Sequence, residues 1–325
     1  MRIYAGIDEA GYGPMFGPLV IARTVFALDH CEFEGEPPSL WSLLKAAVCK
    51  GGSDRRRRIA VNDSKKLYTP SAGLSHLERG VLAFAHLAGH EPATLDALLH
   101  VMGMDANSRT PDLLWYHDGD GGPCLPTEWT ADQLAIARGQ LRRCAQRAAL
   151  SMVDTAAAVV FEDRFNQIVA TTRSKASCAW GFVAQHLWRI WEQFGQHGPW
   201  VVVDRQGGRR MYHPQLQVLF SGAELRLLDE SDDISRYHLR QGDRSMTISF
   251  EVASEERHLP VALASMTAKY LREMLMVRFN RFWQEHVPRI EPTAGYYGDG
   301  RRFLSEIDMH IDRLGIDRTT LVRCC

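Results

Sequence analysis

The chain has 325 residues, 45% of them hydrophobic, and a net charge of −1. That suffices for a buried core in one large or two small domains, and it excludes the polycation that many nucleic-acid binders are. Any anionic partner must therefore meet a local patch.

Ile3–Ile7 and Leu19–Ala27 are apolar runs rich in β-branched residues, joined by a glycine- and proline-rich turn, and they predict two neighbouring strands. Asp8 and Glu9 then leave the first strand at its rim, beside Gly11, Gly13 and Gly17. Between residues 30 and 60, Pro37, Pro38, Gly51, Gly52 and the run Arg55–Arg58 predict a surface excursion, with a helical pattern only over Leu40–Val48. The arginine run reads as a solvated face that a polyanion would also meet. From Asp96 to Asp132 there are seven carboxylates and one basic residue, Arg109, with Pro111 and the loop Asp118–Gly122. A stretch so negative should not lie against phosphate. Ala131–Met152 has helical periodicity, and residues 72–150 are expected to form a mainly helical insertion.

Thr155–Glu162 predicts a strand and Ser177–Phe194 an amphipathic helix that turns Trp180, Phe182, Leu187, Trp188 and Trp191 to a core. Trp200–Val203 has the unbroken apolar run of a buried parallel strand and ends at Asp204. Leu225–Leu228 and Met246–Val252 predict further strands, and Pro260–Trp283 a helix. On that helix Ser265, Lys269, Arg272 and Met276 share one stripe. Arginine is the default cation, 32 against six lysines, yet Lys65, Lys66, Lys175 and Lys269 fall in segments assigned to the active face.

The seven cysteines (Cys31, Cys49, Cys124, Cys144, Cys178, Cys324, Cys325) form no CxxC pair, which favours neither zinc nor a disulfide framework. Met1 leads directly into the first strand, and no apolar run approaches the roughly 18 residues of a membrane span. A soluble cytoplasmic protein is expected.

At five separated places, in order, the chain resembles the type 2 ribonucleases H, the ribonuclease HII group. Asp8-Glu9-Ala10-Gly11-Tyr12-Gly13-Pro14 is similar to that family's DEAGRGP segment, and Asn62-Asp63-Ser64-Lys65-Lys66-Leu67 matches its NDSKKL. Val202-Val203-Asp204 resembles its aspartate-ended strand, Ala264–Lys269 its AASILAK helix, and Gly295-Tyr296 its glycine–tyrosine pair. The resemblance covers about 1–27, 60–70, 155–205 and 250–305. It implies a single α/β domain over 1–325, with a ribonuclease H-like mixed central sheet flanked by helices and interrupted by the insertion.

The resemblance also implies a divalent-metal endonuclease that cleaves the RNA strand, or an embedded ribonucleotide, of an RNA–DNA duplex. Such chemistry uses two hard cations roughly 4 Å apart, each held by several carboxylate oxygens. Asp8, Glu9 and Asp204 supply three carboxylates and Glu255, ten residues before Ser265, the expected fourth; they would hold Mg²⁺ or Mn²⁺. Glu256 would point to the opposite face of an extended segment, and Asp243 would need a different chain path. Ser64, Lys65, Lys66, Ser265 and Lys269 would contact phosphates, Gly11, Tyr12 and Gly13 the 2′-hydroxyl, and Tyr296 a sugar or base. The chain departs from the family at Tyr12, where arginine is usual, at Arg205-Gln206 in place of glycine-asparagine, and at Thr293-Ala294 in place of histidine-lysine. Two rival readings stay open: a nucleic-acid-binding protein on the same fold without turnover, and a nuclease of that fold for structured DNA.

Overall fold

The computed structural model describes residues 1–29, 35–54, 56–68, 73–104, 113–117, 122–206 and 209–324. Cys31, Arg55, Arg109, Pro111, Asp118–Gly121 and Cys325, singled out above, lie outside the described residues. The elements in chain order are β1 (Arg2–Ala10), β2 (Leu19–Leu28), α1 (Leu40–Leu43), β3 (Val48–Cys49), β4 (Ile59–Ala60), α2 (Ser64–Leu67), α3 (Ser75–Leu87), α4 (Leu95–Val101) and α5 (Ala131–Arg147). There follow β5 (Leu150–Val160), α6 (Glu162–Thr172), α7 (Lys175–Phe194), β6 (Trp200–Asp204), α8 (His213–Leu219), β7 (Glu224–Glu230), β8 (Ile234–Gln241), β9 (Arg244–Glu251), α9 (Leu259–His286), α10 (Tyr297–Leu314) and α11 (Arg318–Leu321).

A mixed seven-stranded sheet in the order β5-β2-β1-β6-β9-β8-β7 divides the molecule. β1 pairs antiparallel with β2 and parallel with β6, which pairs parallel with β9; the outer pairs are antiparallel. Ile3, Ala5 and Ile7 of β1 face the core shared with α7, and Tyr4 faces the core under α9, as the two-residue period of a strand requires. Gly6 also faces α9. A Cβ there would stand 2.2 Å from the Val261 nitrogen and 2.3 Å from the Pro260 carbonyl carbon, so glycine lets the start of α9 lie directly on β1. α9 is buried on nearly every side, between the sheet and the helices of 73–150, which explains why its apolar residues do not keep to one face.

Those helices share α9's core through Leu77, Leu98, Trp115 and Leu141. Buried Glu78 of α3 accepts from Thr127 N (2.8 Å), Thr127 Oγ1 (2.6 Å), Glu128 N (2.8 Å) and Tyr270 Oη of α9 (3.0 Å). A carboxylate so placed is stable only because its oxygens are filled by donors, and here the donors bind α3, α9 and the 127–128 loop together.

Several expectations are corrected. Segment 35–60 is no surface excursion: Leu40, Trp41, Leu44, Ala47, Val48 and Ile59 are core residues, and the helix there ends at Leu43. α5 stops at Arg147 and Leu150–Met152 belong to β5, because Ala149 takes a left-handed backbone (φ 47°) that ends the helix. Glu162 opens α6 rather than closing a strand. β8 carries no apolar run that predicts a strand, because of the three side chains that alternate into the interior Ser235 is polar and only Tyr237 and Leu239 are apolar. Trp188 of α7 is 42% exposed and stacks on Phe220 at 5.9 Å instead of entering the core.

Candidate active site

The C-terminal ends of the adjacent parallel strands β1 and β6 bring their carboxylates to one rim. The two-residue period sends Asp8 to the α9 side and Glu9 to the opposite side. Asp8 Oδ1 accepts from the Glu9 amide (2.7 Å), and Glu9 Oε2 accepts from Gln206 Nε2 (3.1 Å). Asp204 ends β6 beside Glu251 of β9, and its Oδ1 accepts from Ser254 Oγ (2.9 Å) and Ser254 N (3.3 Å). Residues Ser254–Glu256 form a 3-10 turn after Ala253 (φ 49°), not the extended segment expected. In such a turn successive side chains diverge by about 120° rather than 180°. Glu255 therefore reaches Asp204, while Glu256 turns out to an exposed pair with Lys66 Nζ (2.5 Å). Asp243 lies in the β8–β9 turn and accepts from Gln196 Nε2 (3.1 Å).

Asp8, Glu9, Asp204 and Glu255 line one open cleft with Ala10–Pro14, Asp63–Lys65, Ser265, Lys269 and Tyr296. Ser64 and Ser265 hydroxyls meet at 3.0 Å beneath it. Lys269 is held by Glu273 (2.5 Å) and lies 4.5 Å from the centre of the Tyr68 ring, so an incoming phosphate would compete with Glu273. Tyr296 is half exposed at the mouth. Lys66 and Lys175, expected on this face, are not in the lining; Lys66 is occupied by Glu256. Arg272, on the same stripe as Ser265, is buried beneath the glycine turn and not open to a phosphate in the cleft.

The carboxyls of Asp8, Glu9, Asp204 and Glu255 are all pushed upward, and among the described residues Lys65 is the one lining cation that opposes the shift at Glu9. Burial, then Asp204 and Glu9, push the Asp8 carboxyl well above the usual range. Burial also raises Glu9, against Gln206 and Lys65, and raises Asp204, against its bonds from Ser254 and Glu255. Burial and the Asp204 charge push Glu255 up to about 7, and its Oε2 is buried without a hydrogen-bond partner. Clustered carboxylates with one orphaned oxygen are the type of oxygen donor that could hold a hard cation. Among the described residues, however, no three acidic, histidine or cysteine side chains stand ready-made round one point. A bound cation would have to draw these side chains together.

The turn after Glu9 is held from below. Buried Arg272 donates to the carbonyls of Phe16 (3.1 Å), Pro18 (3.2 Å) and Ala294 (3.0 Å), and buried Arg323 to those of Gly11 (2.5 Å) and Tyr12 (2.8 Å). Met15 and Phe16 amides donate to Gly295 O at 2.8 and 3.2 Å. Gly11 (φ 87°) and Gly17 (φ 85°) have backbone that disfavours a side chain, and a Cβ at Gly17 would stand 2.2 Å from Arg272. The Gly11, Tyr12 and Gly13 amides have no hydrogen bond among the described residues, and the three residues line the cleft. The Gly17 amide donates to Glu162 Oε1 (2.8 Å), which also accepts from Tyr116 Oη (2.8 Å).

Burial pushes Glu162 up from its ordinary value of 4.5 to about 7. The folded state then holds more protons than the unfolded chain between those values, so stability falls as pH rises through that window and is level outside it. Glu162→Gln keeps the acceptor and cannot ionise. Its stability is expected to gain on the wild type from pH 5 to pH 8, by up to about 3 kcal/mol, in denaturant titrations at the two values. A constant difference between the two proteins would assign the titration to another group.

Asp63, Gln206, Ser254, Glu162 and Arg323 thus join the residues that form or support the site. Asp63 lies inside a segment already singled out; nothing in the sequence marks Arg323, which reaches Gly11 across the whole chain.

No family model and no curated protein matches the chain. Among solved structures it is similar to RNase HII from Archaeoglobus fulgidus, solved in complex with PCNA, at 14% identity over 98% of this chain and 93% of that one, with a TM-score of 0.42. It is similar to the ribonuclease H2 from Pyrococcus horikoshii OT3 at 14% identity over 98% and 92%, TM-score 0.45. Bst-RNase HIII in complex with Mn²⁺ gives 13% identity over 99% and 66%, TM-score 0.43. At such identities and scores the likeness decides nothing about chemistry, which rests on the residues of the cleft.

Proposed function

We propose that this chain is a divergent type 2 ribonuclease H-like endonuclease that hydrolyses the RNA strand, or an embedded ribonucleotide, of an RNA–DNA duplex. The observation that carries this reading is convergence: all five segments that resemble the family contribute to one cleft, although the chain separates them widely. A solvated acid or a helix cap accounts for any one of the residues; it does not account for their assembly beside unpaired backbone donors.

Asp8, Glu9, Asp204 and Glu255 would hold Mg²⁺ or Mn²⁺, which when bound activates water and stabilises the leaving oxygen. Gln206 and Ser254 orient Glu9 and Asp204 by donating to them. Lys65, exposed at the rim, would attract the phosphate, and the hydroxyls of Ser64 and Ser265 would complete its hydrogen bonds. The free amides of Gly11, Tyr12 and Gly13 offer donors to a 2′-hydroxyl, the group that separates RNA from DNA at one position. Tyr296 would pack on the neighbouring sugar or base.

Purified protein with Mg²⁺ or Mn²⁺ is expected to cut a labelled RNA–DNA hybrid, or a DNA duplex with a single ribonucleotide, and to leave an all-DNA duplex intact. Binding without cleavage in both ions would establish the non-cleaving reading instead. Cleavage confined to branched all-DNA substrates would establish the structured-DNA reading.

A further inference from the structure

Outside the cleft the structure has a second, strongly basic groove. Arg56 and Arg57, between β3 and β4, face Arg79 of α3 across Trp129 and the Gln133/Ile136 face of α5. Among the described residues no carboxylate lines it. Arg58, next in the chain, is taken up by Asp54 (2.7 Å), whereas Arg56 and Arg57 are exposed and have no ion pair among the described residues. Arg79 lies 4.7 Å from the centre of the Trp129 ring and holds the carbonyl of Arg57 (2.6 Å), and its Nε is buried without a partner. Arg57 itself sits in left-handed backbone (φ 54°), a conformation that costs energy and is kept here by that grip. Ile136, 62% exposed, adds an apolar floor.

Like charges gathered without counter-charge cost stability unless an anion joins them, and guanidinium groups match phosphate in two-pronged geometry. An aromatic and an aliphatic side chain among them suit a sugar–phosphate chain better than a small inorganic ion. Among the described residues none lines both groove and cleft, but chain continuity and one tight packing contact connect them. The two residues of β4, Ile59–Ala60, follow Arg58 and lead by way of Val61 to Asn62–Lys65, and Gly80, next to Arg79, packs so tightly on Met266 that a Cβ would stand 2.4 Å from its Cε, one residue from Ser265.

We propose that this groove is a second phosphate-binding site, which holds the backbone of the bound nucleic acid beyond the part seated in the cleft. The proposal rests on the reading of the cleft as a nuclease site for the identity of its ligand. The test is fluorescence anisotropy of the full chain in EDTA, with labelled RNA–DNA hybrids of about one and about three helical turns. The wild type should bind the long hybrid about tenfold more tightly, and Arg56→Ala/Arg57→Ala should lose most of that advantage, with the log–log salt slope for the long hybrid lower by about two. An advantage retained in the variant would overturn the proposal. So would equal loss in Arg226→Ala/Arg240→Ala, which removes the same charge at the opposite sheet edge. Stabilisation of the wild type by inorganic triphosphate, lost in Arg56→Ala/Arg57→Ala and with no length advantage for hybrids, would assign the groove to a free phosphate ligand and overturn the backbone reading. Because no cleavage is read, the groove is tested even if the cleft proves inactive, and an active cleft stands even if the groove fails.

Discussion

Asp8→Asn is expected to reduce cleavage of an RNA–DNA hybrid by roughly three orders of magnitude or more with either metal ion, while the protein stays folded. The asparagine keeps an oxygen to accept the Glu9 amide and removes the charge that burial, Asp204 and Glu9 all oppose. In metal-free buffer at neutral pH and above, the melting temperature should therefore be equal to or higher than that of the wild type. Activity lost together with stability would mean that Asp8 is a structural residue. Near-normal Mg²⁺-dependent activity would place the chemistry elsewhere.

The second large effect is Gly6→Ala. The added methyl would overlap the backbone of Pro260 and Val261, with no flexible side chain to move aside. α9 would have to lift from β1, at a cost of about 3 kcal/mol or more. A denaturation midpoint far below that of the wild type, or insoluble protein, is the expected outcome, and any folded fraction should cleave poorly because Ser265 and Lys269 ride on the same helix. A wild-type midpoint would show that β1 and α9 are not so close. Gly6 lies inside an ordinary apolar strand, so the need for glycine there becomes visible only when the helix is laid on it.

That contrast runs through the molecule. β1, β2, β6 and α7 are legible because their apolar residues repeat at two or near 3.6, or run unbroken where both faces are buried. Segment 35–60 misled because its prolines and glycines mark turns, which say nothing about whether Trp41 and Ile59 between them are buried. The rim carboxylates Asp8, Glu9 and Asp204 could be found as acids at strand ends. Glu255 is legible only through the resemblance, which implies an acid about ten residues before Ser265, although the segment is a 3-10 turn and not extended.

Partners of cations were not legible at all. Lys65 and Lys66 are adjacent and chemically identical, yet one lines the cleft and the other is bound to Glu256. Arg272 shares a helical stripe with Ser265 and Lys269 but serves three backbone carbonyls. A motif fixes which residues come near a site; the fold alone decides which of their charges are already spent.

The central claim, that these four carboxylates form one cation-binding centre, is tested most directly by calorimetric titration of Mn²⁺ into the protein without nucleic acid. The wild type should bind Mn²⁺ with heat that Asp204→Asn and Glu255→Gln each largely abolish and that Glu256→Gln and Asp243→Asn leave in place. Mn²⁺ binding that survives in Asp204→Asn and Glu255→Gln alike would contradict the account.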